Sequence, residues 1–133
     1  HKGRLLQNFQ KEVQQFINEN KDNENISTFI KALEAAVKEV MASTMWLMQN
    51  GMQDPENALS SASDYLNLVA LTSLTYMWAR MAKFSDGKNE PQHKTKIKTG
   101  TYFIDKFIPE LQMYSKKVQS GKSTLMEMEV EEF

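Results

Sequence analysis

Apolar residues recur at spacings of three and four along most of this chain, and that period predicts helices rather than strands. The first stripe, Leu5, Leu6, Phe9, Val13, Phe16 and Ile17, predicts a helix from about Leu5 to Asn20. The polar, turn-prone run from Asn20 to Asn25 then breaks it. Ser27 suits an N-cap, and Phe29 or Ile30, Leu33, Val37, Val40/Met41, Met45 and Met48 carry a second helix to Asn50-Gly51. Gly51 is expected to close it in the left-handed conformation that glycine tolerates.

The third start has the strongest signals. Asp54 can cap, Pro55 suits the first helical position, and Glu56 favours the positive end of the helix dipole. Leu59, Ala62, Leu66, Val69, Ser73, Met77 and Phe84 hold the period as far as Ser85-Asp86-Gly87. A fourth helix should begin between His93 and Thr101, with Gly100 obscuring its start. Its stripe is Phe103, Phe107, Ile108, Leu111, Tyr114 and Val118. Pro109 is expected to kink it before Ser120-Gly121 ends it.

No strand-like alternation interrupts this series, so the fold class is all-α. Short connections favour antiparallel neighbours and hence an up-down-up-down four-helix bundle. A short tail, Ser123 to Phe133, holds a potential capping box at Thr124-x-x-Glu127. At 133 residues the chain is expected to be one helical domain, residues 1–133. His1-Lys2-Gly3-Arg4 lacks an initiator Met, which suggests an excised piece of something longer.

Composition narrows the function classes. Sixteen Lys+Arg against 17 Asp+Glu leave a net charge of −1, which argues against a dedicated nucleic-acid binder. The absence of Cys excludes disulfides, thiolate catalysis and Cys-ligated zinc or iron–sulfur centres. His1 and His93 are too few for a histidine-rich metal site. No apolar run is long enough to span a membrane, and no secretory signal opens the chain, so a cytoplasmic location is expected.

Candidate chemistry is sparse. Met41, Met45, Met48 and Met52 form a stripe that would suit an adaptable groove for an acyl chain or partner helix. The commoner fate of such a stripe is the bundle core, which is the expectation here. No charge falls between Val40 and Gln53 or between Tyr65 and Ala79. In the second stretch Leu68, Leu71 and Trp78 lie off the main stripe, so this helix is either buried on several sides or presents a docking surface. Trp46 and Trp78 are the candidate docking anchors, and either could equally be core. Lys88, Lys94, Lys96 and Lys98 form the one basic cluster, expected as solvated loop lysines.

Glu34, Glu39, Asp64, Asp105 and Glu110 sit on helices without a Glu-x-x-His motif. Asp105 and Glu110 flank an aromatic stripe and could pair with Lys106 or with another chain. His93 is expected in a loop, beside no nucleophile elbow. The residues therefore offer no catalytic, cofactor-binding or metal constellation.

One resemblance goes further. Asp54-Pro55, Ala58-Leu59, Tyr65-Leu66, Phe103, Phe107-Ile108-Pro109-Glu110 and the Leu125-Met126-Glu127-Met128…Glu131-Glu132-Phe133 ending are similar to the helical C-terminal domain of large bacterial acyl-CoA dehydrogenases. The type that oxidises methylmercaptopropionyl-CoA is included. The resemblance implies a parent flavoprotein in which a glutamate removes the α proton of an acyl-CoA thioester. FAD accepts the β hydride and passes electrons to an electron-transfer flavoprotein. It places the flavin-binding and catalytic parts upstream, so no FAD contact or catalytic residue is expected here. It also implies that this domain docks on the catalytic domains of its own chain, with a homodimer contact as a further role. An independent helical protein-binding or scaffold module is the alternative. A small carrier with a Met-lined groove is a third, weaker one.

Overall fold

The computed structural model describes residues 2–51 and 53–120. Met52 and the tail with its Thr124-x-x-Glu127 box lie outside the described residues. Four helices run in order: α1 (Lys2–Asn20), α2 (Ser27–Gly51), α3 (Pro55–Ser85) and α4 (Pro91–Ser120), with one 3-10 turn (Glu24–Ile26) leading into α2. No strand occurs among the described residues. The result is the expected all-α, up-down-up-down bundle.

Three boundaries correct the sequence reading. Ser27 is already helical, and the cap belongs to Asn23, whose side chain accepts from the Asn25 amide and starts the 3-10 turn. Gly51 ends α2 without a positive φ, because Gly87 is the only described residue in that region, at φ 77°. What Gly51 supplies is space: a Cβ there would stand 3.1 Å from Ala58 Cβ on α3. The fourth helix begins at Pro91, ten residues before Thr101, since proline's fixed φ suits a first turn. The other end of α4 is as expected, with Pro109 inside the helix and Ser120 closing it.

Other signals hold as read. Asp54 caps α3 with an extended backbone (φ −143°, ψ 99°), its carboxylate accepting from the Glu56 amide at 3.1 Å, and Pro55 follows. The helix it starts has 31 residues, about 46 Å at 1.5 Å each.

The core is built lengthwise in two parts. Val13, Ile17, Ile26, Phe29, Ile30, Leu33, Val37, Tyr76, Ala79, Ala82 and Ile104 fill one end. Ala36, Val40, Leu68, Leu71 and Leu111 fill the other, and Phe103 and Ile108 touch both. The closest backbone approaches join α2, α3 and α4. The α1 helix lies outside that trio and reaches it through long side chains. Phe9 and Phe16 both meet the Tyr76 ring edge-on, at 5.9 and 5.5 Å and 81°.

Small residues let the three inner helices come close, and their hydroxyls find partners in the seams. Ser61 Oγ donates to the Val118 carbonyl at 2.7 Å, tying α3 to α4. Ser43 and Ser115 share a hydrogen bond of 3.1 Å between α2 and α4. Thr44 gives its single proton to the Val40 carbonyl at 2.7 Å, so the Tyr65 hydroxyl, also at 2.7 Å, must be the donor to it. No buried side-chain nitrogen or oxygen among the described residues lacks a partner, which is the condition for burying so many hydroxyls without penalty.

Candidate docking surface

The face that α3 turns inward is not the one its apolar period suggests. Its buried residues are Ser61, Leu68, Leu71, Thr72, Thr75, Tyr76, Ala79, Ala82 and Ser85. Thr72 and Thr75 return their hydroxyls to the Leu68 and Leu71 carbonyls at 2.9 and 2.8 Å, so each buries a methyl and a satisfied oxygen. The predicted stripe points the other way. Leu59, Leu66, Met77 and Phe84 are 76, 67, 53 and 64% exposed. At 100° per residue these four and exposed Ala70 fall within about 40° of one another, opposite the buried set.

A single apolar line thus follows the outside of α3 from Leu59 to Phe84, about 38 Å. Leu74 flanks it, 43% exposed. No charged residue interrupts α3 between Asp64 and Arg80. Scattered exposed leucines are ordinary, but apolar residues aligned along a helix's outer side, with Arg80 the one cation of α3 beside them, are the pattern of a contact surface. Of the two readings open for this helix, the docking surface is the one its outer side fits.

The methionine stripe of α2 also corrects expectation. Met41, Met45 and Met48 are 50, 58 and 62% exposed rather than core. The core residues Phe29, Ile30, Leu33, Ala36, Val37 and Val40 occupy the inward face instead. Met41 and Val37 form one wall of two shallow clefts against α1, of about 360 and 240 Å³. The opposite wall is largely Gln7, Gln10, Lys11, Gln14 and Lys21. Such a polar wall does not make the apolar sheath an acyl carrier needs.

The two tryptophans part company. Trp78 is half-buried against the first core cluster, with the Phe103 ring centroid 6.0 Å away. Trp46 is also half-buried but belongs to neither cluster. The structure therefore does not bring them together.

His93 is on α4 rather than in a loop, and it is buried. Its Nδ1 lies 3.1 Å from Ser85 Oγ, and its Nε2 lies 3.8 Å from Glu90 Oε2. The order Ser–His–Glu imitates a hydrolytic triad. Yet Ser85 is only 1% exposed in the α3–α4 seam. At 3.8 Å the acid is also beyond hydrogen-bond reach. This contact fastens two helices. No group of three potential metal ligands occurs among the described residues. Lys106 lies over the Tyr102 ring at 5.8 Å and makes no ion pair with Asp105.

The lysine cluster is exposed as expected but only partly in the loop: Lys94, Lys96 and Lys98 occupy the N-terminal turns of α4, whereas Lys88 stays in the loop, its Nζ 3.4 Å above the Phe84 ring centre. Lys96 joins Met77, Arg80, Met81, Phe84 and Ser85 around a cleft of about 260 Å³ at the end of the α3 stripe. Sequence reasoning found the lysines and the stripe separately. Only the antiparallel α3–α4 pairing shows that they meet.

These features define a class: an all-helical domain that leaves an aligned apolar stripe of one helix exposed. The family described as Acetyl-CoA dehydrogenase C-terminal like matches residues 9–129, and the chain belongs to it. No individual curated protein matches the sequence. No described helix is long and apolar enough to cross a membrane.

Proposed function

We propose that this chain is the C-terminal docking domain of a FAD-dependent acyl-CoA dehydrogenase, seated on the catalytic domains of its own chain through the outer face of α3. The observation that carries this is the aligned Leu59–Leu66–Ala70–Met77–Phe84 stripe. Family membership supplies the kind of protein it would dock to. In this reading the domain performs no chemistry. The parent takes hydrogens from the α and β carbons of an acyl-CoA thioester, and the upstream portion holds the flavin. The described clefts, about 240 to 360 Å³, fall at the small end of ligand pockets, which run from about 300 to 1,000 Å³.

The test begins with the intact parent polypeptide from its source. Its mass should exceed that of this chain several-fold, and the purified protein should show flavin absorption and oxidise an acyl-CoA. A colourless parent of about this chain's size would sink the reading in favour of a free-standing scaffold module. Within the parent, amide hydrogen exchange along α3 should be slower than in the 133-residue chain alone.

A further inference from the structure

The α3 stripe does not end in solvent-neutral surroundings. From Arg80 to Lys98 the sequence carries six cations, Arg80, Lys83, Lys88, Lys94, Lys96 and Lys98, against two carboxylates, Asp86 and Glu90. Both carboxylates have positions of their own. Asp86 accepts from the Asn23 and Asn25 amides at 2.9 and 3.0 Å, and Glu90 leans toward His93. Neither Arg80 nor Lys96 forms an ion pair with a described carboxylate.

The backbone adds to this positive field. Residues 94, 96 and 98 occupy the N-terminal turns of α4, whose first turn holds no acidic residue. Cations at that end of a helix oppose the dipole, which favours anions there. The cleft between Arg80 and Lys96 has an apolar floor of Met77, Met81 and Phe84, and no carboxylate lines it. It is continuous with the apolar stripe and too small for a cofactor. One hydrophobic side chain accompanied by a carboxylate would match it in size and charge.

From this we infer that the surface docking on α3 is acidic at the Phe84 end: an Asp- or Glu-bearing apolar segment of the parent's catalytic body sits between Arg80 and Lys96. The inference rests on the docking reading above and adds the partner's polarity to it. Electrostatic complementarity of this kind fixes the register of a contact that an apolar stripe alone would let slide.

The experiment uses the intact parent. A carbodiimide joins a lysine amine to a carboxylate only where the two touch, and peptide mass spectrometry then locates the bond. Lys96 should couple to an Asp or Glu upstream of this sequence. Its acetylation by a soluble active ester should also be at least tenfold slower than in the 133-residue chain. Hydrogen exchange along α3 is read in parallel. If α3 is protected while Lys96 acetylates at the free rate, docking stands and the acidic partner is overturned. Coupling of Lys96 to Glu127, Glu129, Glu131 or Glu132 of the tail, or to a second copy, would replace the proposed occupant. With neither Lys96 nor α3 protected, the docking reading itself falls.

Discussion

Trp78 on α3 lies so close to Gly100 on α4 that a Cβ at residue 100 would stand 2.9 Å from the indole Cε3, and 2.8 Å from Phe29 Cε1 on α2. Gly100 is therefore the contact point of three helices rather than a helix boundary. Two opposing effects decide the Gly100→Ala variant. Alanine favours a helix interior over glycine by about 1 kcal/mol, whereas forcing a methyl into a filled core costs about 1–3 kcal/mol. Two rings must move at once, so the steric effect should win. Urea unfolding should show a net loss of up to about 2 kcal/mol, and Gly100→Val should lose more. A stabilised Gly100→Ala variant would disprove this packing.

The Asp86 carboxylate joins the start of α2 to the end of α3. Its two oxygens take the Asn23 and Asn25 side-chain amides, while Asn23 Oδ1 accepts the Asn25 backbone N–H at 3.1 Å. Both ends of the Asn23 amide are thereby committed. Hydrogen bonds to a charged group contribute about 1.5–3 kcal/mol when buried, and these are half-exposed, so solvent screening cuts that sharply. Asp86→Ala should lower the unfolding free energy by about 1–2 kcal/mol. Asp86→Asn, which keeps one acceptor, should lose less. Chemical denaturation of the pair measures both.

Helix number, order and most boundaries were legible because caps and breakers act locally. Asp54-Pro55 and Ser85-Asp86-Gly87 need no tertiary partner to do their work. The orientation of α3 was not legible, since it depends on what the neighbours accept. The inward face of α3 mixes Leu68, Leu71 and Tyr76 with the small or hydroxyl-bearing Ser61, Thr72, Thr75, Ala79 and Ala82. That mixture carries a weak apolar period, so the strongest period marks the outer face instead. A clue was present in Leu68 and Leu71, which fall off that period. The start of α4 was missed because Gly100 read as a breaker, although its missing side chain is what α3 and α2 require. The meeting of Lys96 with Met77 and Phe84 depends on helix pairing and could not come from either segment alone.

Two leucines two positions apart separate the faces of α3 directly. Leu68 is 0% exposed in the second core cluster, and Leu66 is 67% exposed on the outer stripe. Leu68→Ala should cost about 2–5 kcal/mol through lost burial and the cavity it leaves. Leu66→Ser should stay within about 0.5 kcal/mol of the parent sequence, as surface changes do. Thermal or urea unfolding of the 133-residue chain measures both, and comparable losses would place the stripe inside. In the full parent Leu66→Ser should act differently, speeding hydrogen exchange along α3 without unfolding the domain.

Tyr76 makes the alkaline stability of the bundle predictable in sign. Burial between Phe9 and Phe16 raises its pKa above the ordinary 10.0, and the charge of the hydrogen-bonded Glu12 and that of Glu19 raise it further, against a lowering by Arg80. The folded state thus holds the phenol proton more tightly than the unfolded chain does. Above about pH 10 the unfolded chain releases this proton first, so it binds fewer protons than the native state and gains on it as pH rises. The stabilisation is fully present below the unfolded value and is lost as pH climbs through the folded one. Urea midpoints should therefore fall from pH 9.5 upward by an increment that Tyr76→Phe abolishes. Glu12→Gln removes the carboxylate charge and should shrink the same increment without abolishing it, because burial, the larger cause, remains. A Tyr76→Phe chain that kept the whole alkaline decline would locate its source in another group.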